Sequence, residues 1–184
     1  MPISSKTNDR TGAVNRPASL LKTALLFGLL MLALHAIFWF VMPIWKQTDP
    51  LRDFTTQVTS YLLTKFNIAN SVNNYTISLR NDTWVVTQQC TAINVFILYV
   101  SFILAYSASI KSKCLAFLIG IPFILASNIG RLLTLGLLTE YFPTKAHFFH
   151  DFVWEAVFVI LVISMWLIWI EVVVKHEENR VVHH

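Results

Sequence analysis

Apolar residues run in four long blocks, near 21–42, 91–110, 114–139 and 152–174, with polar residues confined to the stretches between them and to the two ends. About 20 consecutive apolar residues carry a helix across ~30 Å of hydrocarbon, so each block predicts a membrane-spanning helix. Between the first two blocks the period changes. Leu51, Phe54, Val58, Tyr61, Leu62 and Lys65 recur at three- and four-residue spacing, which predicts an amphipathic helix suited to the bilayer surface. Tyr75, Ile77 and Leu79 then alternate with polar residues, Asn81-Asp82 supplies a turn and Trp84-Val85-Val86 returns, the pattern of a β-hairpin. The fold expected is an all-α integral membrane protein, a four-helix transmembrane bundle with a small extracytoplasmic insertion, 46–89, made of an amphipathic helix and a β-hairpin. Residues 1–19, polar and rich in Ser, Thr and Asn, predict a disordered cytoplasmic tail. Residues 20–176 form one membrane domain in this reading, and 177–184 a cytoplasmic C-terminal tail.

Composition supports the membrane assignment. With 55% hydrophobic and 13% charged residues and a mean hydropathy of +0.59, an ordinary soluble domain is excluded. The first block has no small-x-small cleavage site after it and ends in Trp39, Phe40, Pro43 and Trp45. These read as an interfacial anchor, so the block is expected to be a retained helix and not a removed signal. Placing both termini inside puts Lys6, Arg10, Arg16, Lys22, Lys111, Lys113, Lys175 and Arg180 on the inner side. Lys46, Arg52, Lys65, Arg80 and Lys145 fall outside. The inner excess, concentrated in the Lys111-Ser112-Lys113 turn, favours N-in and C-in by the positive-inside rule.

Two cysteines are present. Cys90 falls at the outer end of the second block and Cys114 at the inner end of the third. About 20 helical residues, some 30 Å, separate those depths, whereas bridged Cα atoms lie within ~7 Å. No disulfide joins them, and without a CxxC a thiol–disulfide oxidoreductase is disfavoured. Most lone cysteines are small buried hydrophobes. Cys90 differs in opening a membrane helix at the water interface, where unpaired N–H groups and the helix dipole favour a thiolate.

Arg131 is expected inside the outer leaflet, where a charge costs a few kcal/mol on lenient scales and marks a functional position by default. The alternative is a structural pair with Glu155. Asn128 and Ser127 share its helix face at i−3 and i−4, and Pro122 with Gly120 predicts a kink below them. His147 and His150 stand three apart at the mouth of the last block, followed by Asp151 and Glu155. With Cys90 nearby they also suggest zinc, but HxxH alone is weak, so no metal or other cofactor is expected. Asp151 and Glu155 can orient a histidine or neutralise Arg131, and Asp151 equally suits a helix N-terminus. His35 lies at a depth similar to Arg131, suited to an interhelical hydrogen bond and held in reserve as the third catalytic group.

Cys90 opening one helix, Asn128-Ile129-Gly130-Arg131 within the next and His150-Asp151-Phe152-Val153-Trp154 opening the last together resemble the exosortase/archaeosortase family of membrane cysteine transpeptidases. The Phe148-Phe149-His150-Asp151-Phe152-Val153-Trp154 stretch is most similar to short, exosortase H-like members. The resemblance covers roughly residues 85–172. It departs in two ways: many members carry more helices, and many follow the cysteine with Ser-Gly, where this chain has Thr91-Ala92.

The resemblance implies an enzyme of the bacterial inner membrane, with its active site extracytoplasmic. Its substrates would be secreted proteins bearing a C-terminal motif, a transmembrane helix and a basic tail, met within membrane lipid and without nucleic acid. Cys90, Arg131 and His150 would be catalytic, as nucleophile, oxyanion donor and acid/base, with Asn128, Asp151, Glu155, His147 and His35 contacting substrate or supporting these three. Two other classes fit the residues: a non-enzymatic membrane assembly factor with a structural Cys90, and a small anion carrier with Arg131 as the binding charge.

Overall fold

The computed structural model describes residues 16–45, 49–148 and 153–174. Helix α1 (Arg16–Trp45) leads to α2 (Pro50–Lys65), then to strands β1 (Asn70–Asn73), β2 (Thr76–Leu79) and β3 (Thr83–Val85). A 3-10 turn, Gln88–Thr91, precedes α3 (Ile93–Ala105). Helices α4 (Ile110–Tyr141), α5 (Pro143–Phe148) and α6 (Trp154–Ile168) follow, and α6 runs on into a π-helical segment, Trp169–Val174.

Among the described residues three helices are long and apolar enough to cross a membrane: Leu20–Val41 within α1, the whole of α4, and Trp154–Val174. The expected fourth span, 91–110, is a shorter helix. Ala92 adopts a left-handed conformation (φ 57°, ψ 21°) that stops α3 on one side, and extended Tyr106 (φ −71°, ψ 137°) stops it on the other. The thirteen residues between them reach about 20 Å, less than the hydrocarbon thickness. Lys111-Ser112-Lys113 is likewise not the connecting turn. It is the first turn of α4, N-capped by the Ser109 hydroxyl, which accepts from the Ser112 N–H. Lys113 Nζ donates to the Leu104 carbonyl at 3.0 Å and so closes the C-terminal end of α3.

Aromatic rings join α1, α3 and α6 at one end of the molecule. Phe102 stacks on Trp166 with centroids 4.1 Å apart, and Phe27 meets both rings edge-on at 6.2 Å. The Trp169 indole N–H donates to the Ser112 carbonyl at 3.0 Å. The N-terminal half of α1, the C-terminal ends of α3 and α6 and the start of α4 therefore share one side with Lys22, Lys111 and Lys113. Tyr99, its hydroxyl on the Ala116 carbonyl at 3.0 Å, lies against Gly120. A methyl at Gly120 would stand 2.3 Å from the Tyr99 oxygen and 2.5 Å from its ring. Gly120→Ala is therefore expected to lower stability by about 1–3 kcal/mol through overpacking, read as a lower Tm in detergent. Helix α4 continues without a break through Pro122.

The insertion is anchored on α4. Asp49 caps α2 by accepting from the Arg52 N–H at 3.0 Å, as an N-cap carboxylate does. The packed face of α2 is Thr55, Thr56, Thr59 and Leu63, while Phe54 and Tyr61 stay exposed. The sheet is an antiparallel meander in the order β1-β2-β3, one strand more than the expected hairpin. Asn74, at φ 53°, makes the extra turn between Asn73 and its partner Thr76. Ile77 and Leu79 point into a core with Leu63, Ile68, Val86, Leu132 and Cys90. A second core, with Ala92, Tyr99, Ile103, Ile124 and Val162, fills the space between the membrane helices.

Candidate active site

Cys90 sits at the seam of these two cores, 9% exposed. It belongs to the 3-10 turn and not to the first turn of α3, as the apolar pattern had suggested. The turn closes through the Cys90 N–H on the Thr87 carbonyl (3.0 Å) and the Thr91 hydroxyl on the Gln88 carbonyl (2.6 Å). The Thr87 hydroxyl lies 3.4 Å from the sulfur. Ala92 then turns the chain through its left-handed conformation, which costs a non-glycine residue roughly 1–2 kcal/mol. This is the second position after the cysteine, where the related pattern carries glycine. The bend separates the cysteine turn from α3 and opens the start of α3 toward the sulfur. Helix α3 begins there without a side-chain cap.

The turn is tied to both neighbouring helices. From α2, Arg52 Nε donates to the Val86 carbonyl, and its guanidinium lies 3.9 Å over the Tyr75 ring. Asp49 receives the Gln88 amide at 3.4 Å. From α4, Asn128 Nδ2 donates to the Cys90 carbonyl at 2.7 Å. One turn further along α4, Arg131 lines one cleft with Cys90 and Glu155, and its guanidinium lies within electrostatic reach of both. Its Cζ lies 5.7 Å over the Phe158 ring, within cation–π range, and its Nε is buried with no hydrogen-bond partner among the described residues.

Cys90, Arg131, Glu155 and Phe158 line this cleft of about 640 Å³ between the cysteine turn, α3, α4 and α6. Thr87, Gln89 and Asn94 edge it with polar groups, and Val95, Leu98, Val159 and Val162 make it apolar. Glu155 stands exposed on its α6 wall. Of the residues singled out from sequence, Cys90, Arg131 and Glu155 meet in this cleft, and Asn128 reaches it through the Cys90 carbonyl. His35 does not line it. Its Nδ1 donates to the Met31 carbonyl of its own helix at 2.9 Å, in place of the expected interhelical bond. A ring nitrogen four residues above a helical carbonyl needs no second helix. His150 and Asp151 lie outside the described residues, and His147 is described in its backbone alone. Among the described residues no group of three or more His, Cys, Asp or Glu is placed to hold a metal.

Phe158 and Asn94 were not singled out from sequence. Phe158 lies three residues beyond Glu155, so helical spacing put it on the same face, where it looked like one more lipid-facing aromatic. Cys114 is free and exposed on α4, fourteen residues and about 21 Å before Asn128. It is too far from Cys90 for a disulfide, in line with the sequence reading.

No curated protein and no solved structure matches the chain. The sequence profile of the transmembrane exosortases matches residues 17–170, which adds α1 and the insertion to the stretch that the motifs alone had marked. A match over most of the chain, with Cys90, Asn128 and Arg131 of the family-like motifs gathered at one cleft, places this membrane protein in the transmembrane exosortase family.

Proposed function

We propose that the protein is a cysteine protease/transpeptidase that removes the C-terminal sorting signal of secreted proteins at the outer face of the bacterial inner membrane. The observation that carries this reading is that Arg131 and Cys90 line one open cleft, within electrostatic reach of each other, at the seam of the membrane core and the insertion. A structural cysteine needs no guanidinium, and an anion carrier needs no thiol beside its cation.

In the proposed reaction the Cys90 thiolate attacks the carbonyl carbon of the scissile amide. Arg131 donates to the oxyanion, an interaction stronger in a water-excluded site than in bulk water. The C–N bond breaks as His150 protonates the leaving amine, and a thioester remains on Cys90. Water or an acceptor nucleophile, deprotonated by His150, then attacks the thioester carbonyl and expels the sulfur, which restores the Cys90 thiolate and a protonated His150. Glu155, on the wall facing Arg131, offsets the guanidinium charge while the cleft is empty. A tailed substrate would bring its own membrane helix beside α3 and α6, whose apolar residues line the cleft.

Trapping the intermediate tests this directly. Membranes incubated with a tailed substrate and quenched in acid should yield a hydroxylamine-sensitive adduct between Cys90 and the substrate's N-terminal fragment. No adduct under conditions where the substrate is cleaved would overturn the reading. The proposed sidedness has its own check: with intact cells, a membrane-impermeant thiol reagent should label Cys90 and spare Cys114. The reverse labelling would invert the topology.

A further inference from the structure

We infer that Asn128 is a positioning residue, whose side-chain amide registers the Cys90 turn onto α4 and so sets the nucleophile against Arg131. The inference rests on the reading of Cys90 as nucleophile and deepens it.

The Cys90 turn is not carried by the helix that follows it. Left-handed Ala92 breaks the hydrogen-bond ladder at the junction, and the ladder of α3 resumes at Ala92, whose carbonyl accepts from the Phe96 N–H. The Cys90 carbonyl is thereby freed from the regular course of a helix, in a place closed to bulk water. Asn128 supplies its donor: Nδ2 at 2.7 Å, from a side chain that is 0% exposed. A buried carbonyl paired with a buried amide is a directional link whose loss leaves both groups unsatisfied. The Oδ1 of the same amide is buried with no partner among the described residues, a polar cost that a leucine of similar volume would avoid.

The position of the donor gives the link its meaning. Asn128 and Arg131 share one face of α4, a turn apart, about 5 Å along the axis. Through Asn128 the sulfur is held by the same rigid helix that carries the guanidinium. On the α4 side the Cys90–Arg131 separation then depends on one helical turn and one hydrogen bond, while Arg52 and Asp49 hold the same turn from α2. Asn128 touches no reacting atom. It acts through Cys90.

The test reads the coupling of Asn128 to Arg131 through the alkylation rate of Cys90 by a small thiol reagent. It uses the full chain in detergent, with Cys114→Ser to silence the other thiol. Arg131→Gln is made alone, in Asn128→Leu and in Asn128→Asp. With Asn128 present, loss of the guanidinium should slow alkylation on the order of ten-fold; with leucine or aspartate there, less than about two-fold, since residues acting as one unit are not additive. In processing assays Asn128→Leu should lower kcat by ten-fold or more with KM within about two-fold. Arg131→Gln slowing alkylation equally in all backgrounds would overturn the inference. So would wild-type kcat in Asn128→Leu, or a failure of both Asn128 variants to fold, which would make the residue structural. The alkylation comparison needs no substrate, so it stands even if Cys90→Ala still processes and the peptidase reading falls.

Discussion

Cys90→Ala is expected to abolish processing of a tailed substrate while the protein remains folded. Cys90 is a small member of the core beside Leu132 and Val86, and removing one sulfur leaves a void of roughly methyl size, costing on the order of 1 kcal/mol. No thiol takes its place, because Cys114 lies about 21 Å away along α4. The loss is therefore chemical: the thioester has no atom to form on. Measured as the fraction of substrate cleaved in membranes at matched expression, activity should fall to background. His150→Ala should do the same, since the leaving amine then departs unprotonated, whereas His147→Ala should keep substantial activity. Wild-type cleavage by Cys90→Ala would end the enzyme reading. Loss in His147→Ala with activity in His150→Ala would exchange the two histidines.

Arg131→Lys is expected to lower the cleavage rate by roughly a hundred- to a thousand-fold, the usual effect of losing an oxyanion donor. The substitution keeps the positive charge, which makes it informative. A guanidinium is planar and presents several donors in a fixed fork, so it can brace a sulfur and an oxyanion together, and its Cζ lies 5.7 Å from the centre of the Phe158 ring. A lysine ammonium is a shorter-reaching point charge with a stronger demand for water. Single-turnover rates on the same substrate separate this from a binding defect, since the prediction places the loss in the chemical step. Full activity in Arg131→Lys would show that charge alone suffices, and would shift Arg131 from oxyanion donor to anion anchor.

The parts of the fold legible in sequence were those fixed by depth and period. In sequence, Cys90 stood at the end of a membrane helix and Arg131 within another, toward the same face, and an i−3 relation placed Asn128 beside Arg131. The cleft joins these residues. The apolar blocks marked membrane helices but not their ends. Block 91–110 remains apolar beyond both ends of α3, which are set by the backbone at Ala92 and Tyr106. Strand β1 has no strand signal in sequence, because Asn70-Ser71-Val72-Asn73 holds Val72 as its one apolar residue, and it pairs along the edge of β2. The packed face of α2 was also hidden. Its threonines are short enough to lie against α4, a role for which hydropathy gives no sign. Phe158 was hidden among other aromatics until Arg131 was seen over its ring.

The short reach of α3 carries a consequence for the lipid around the protein. Helix α4 extends about 48 Å beside a neighbour of about 20 Å, so the molecule presents very unequal hydrophobic heights to the bilayer. Lipid relieves such a mismatch by thinning locally, at fractions of a kcal/mol per ångström. The non-helical backbone at the cysteine turn, tolerable at membrane depth only where protein or water covers it, points to the same side. The headgroup boundary would then dip toward Cys90, bringing water and polar acceptors down to the thioester. Under the proposed reaction, acyl-chain length would then act on turnover. In bilayers of longer lipids the dip would cost more to maintain, and the cleft would be drier and slower to release a product.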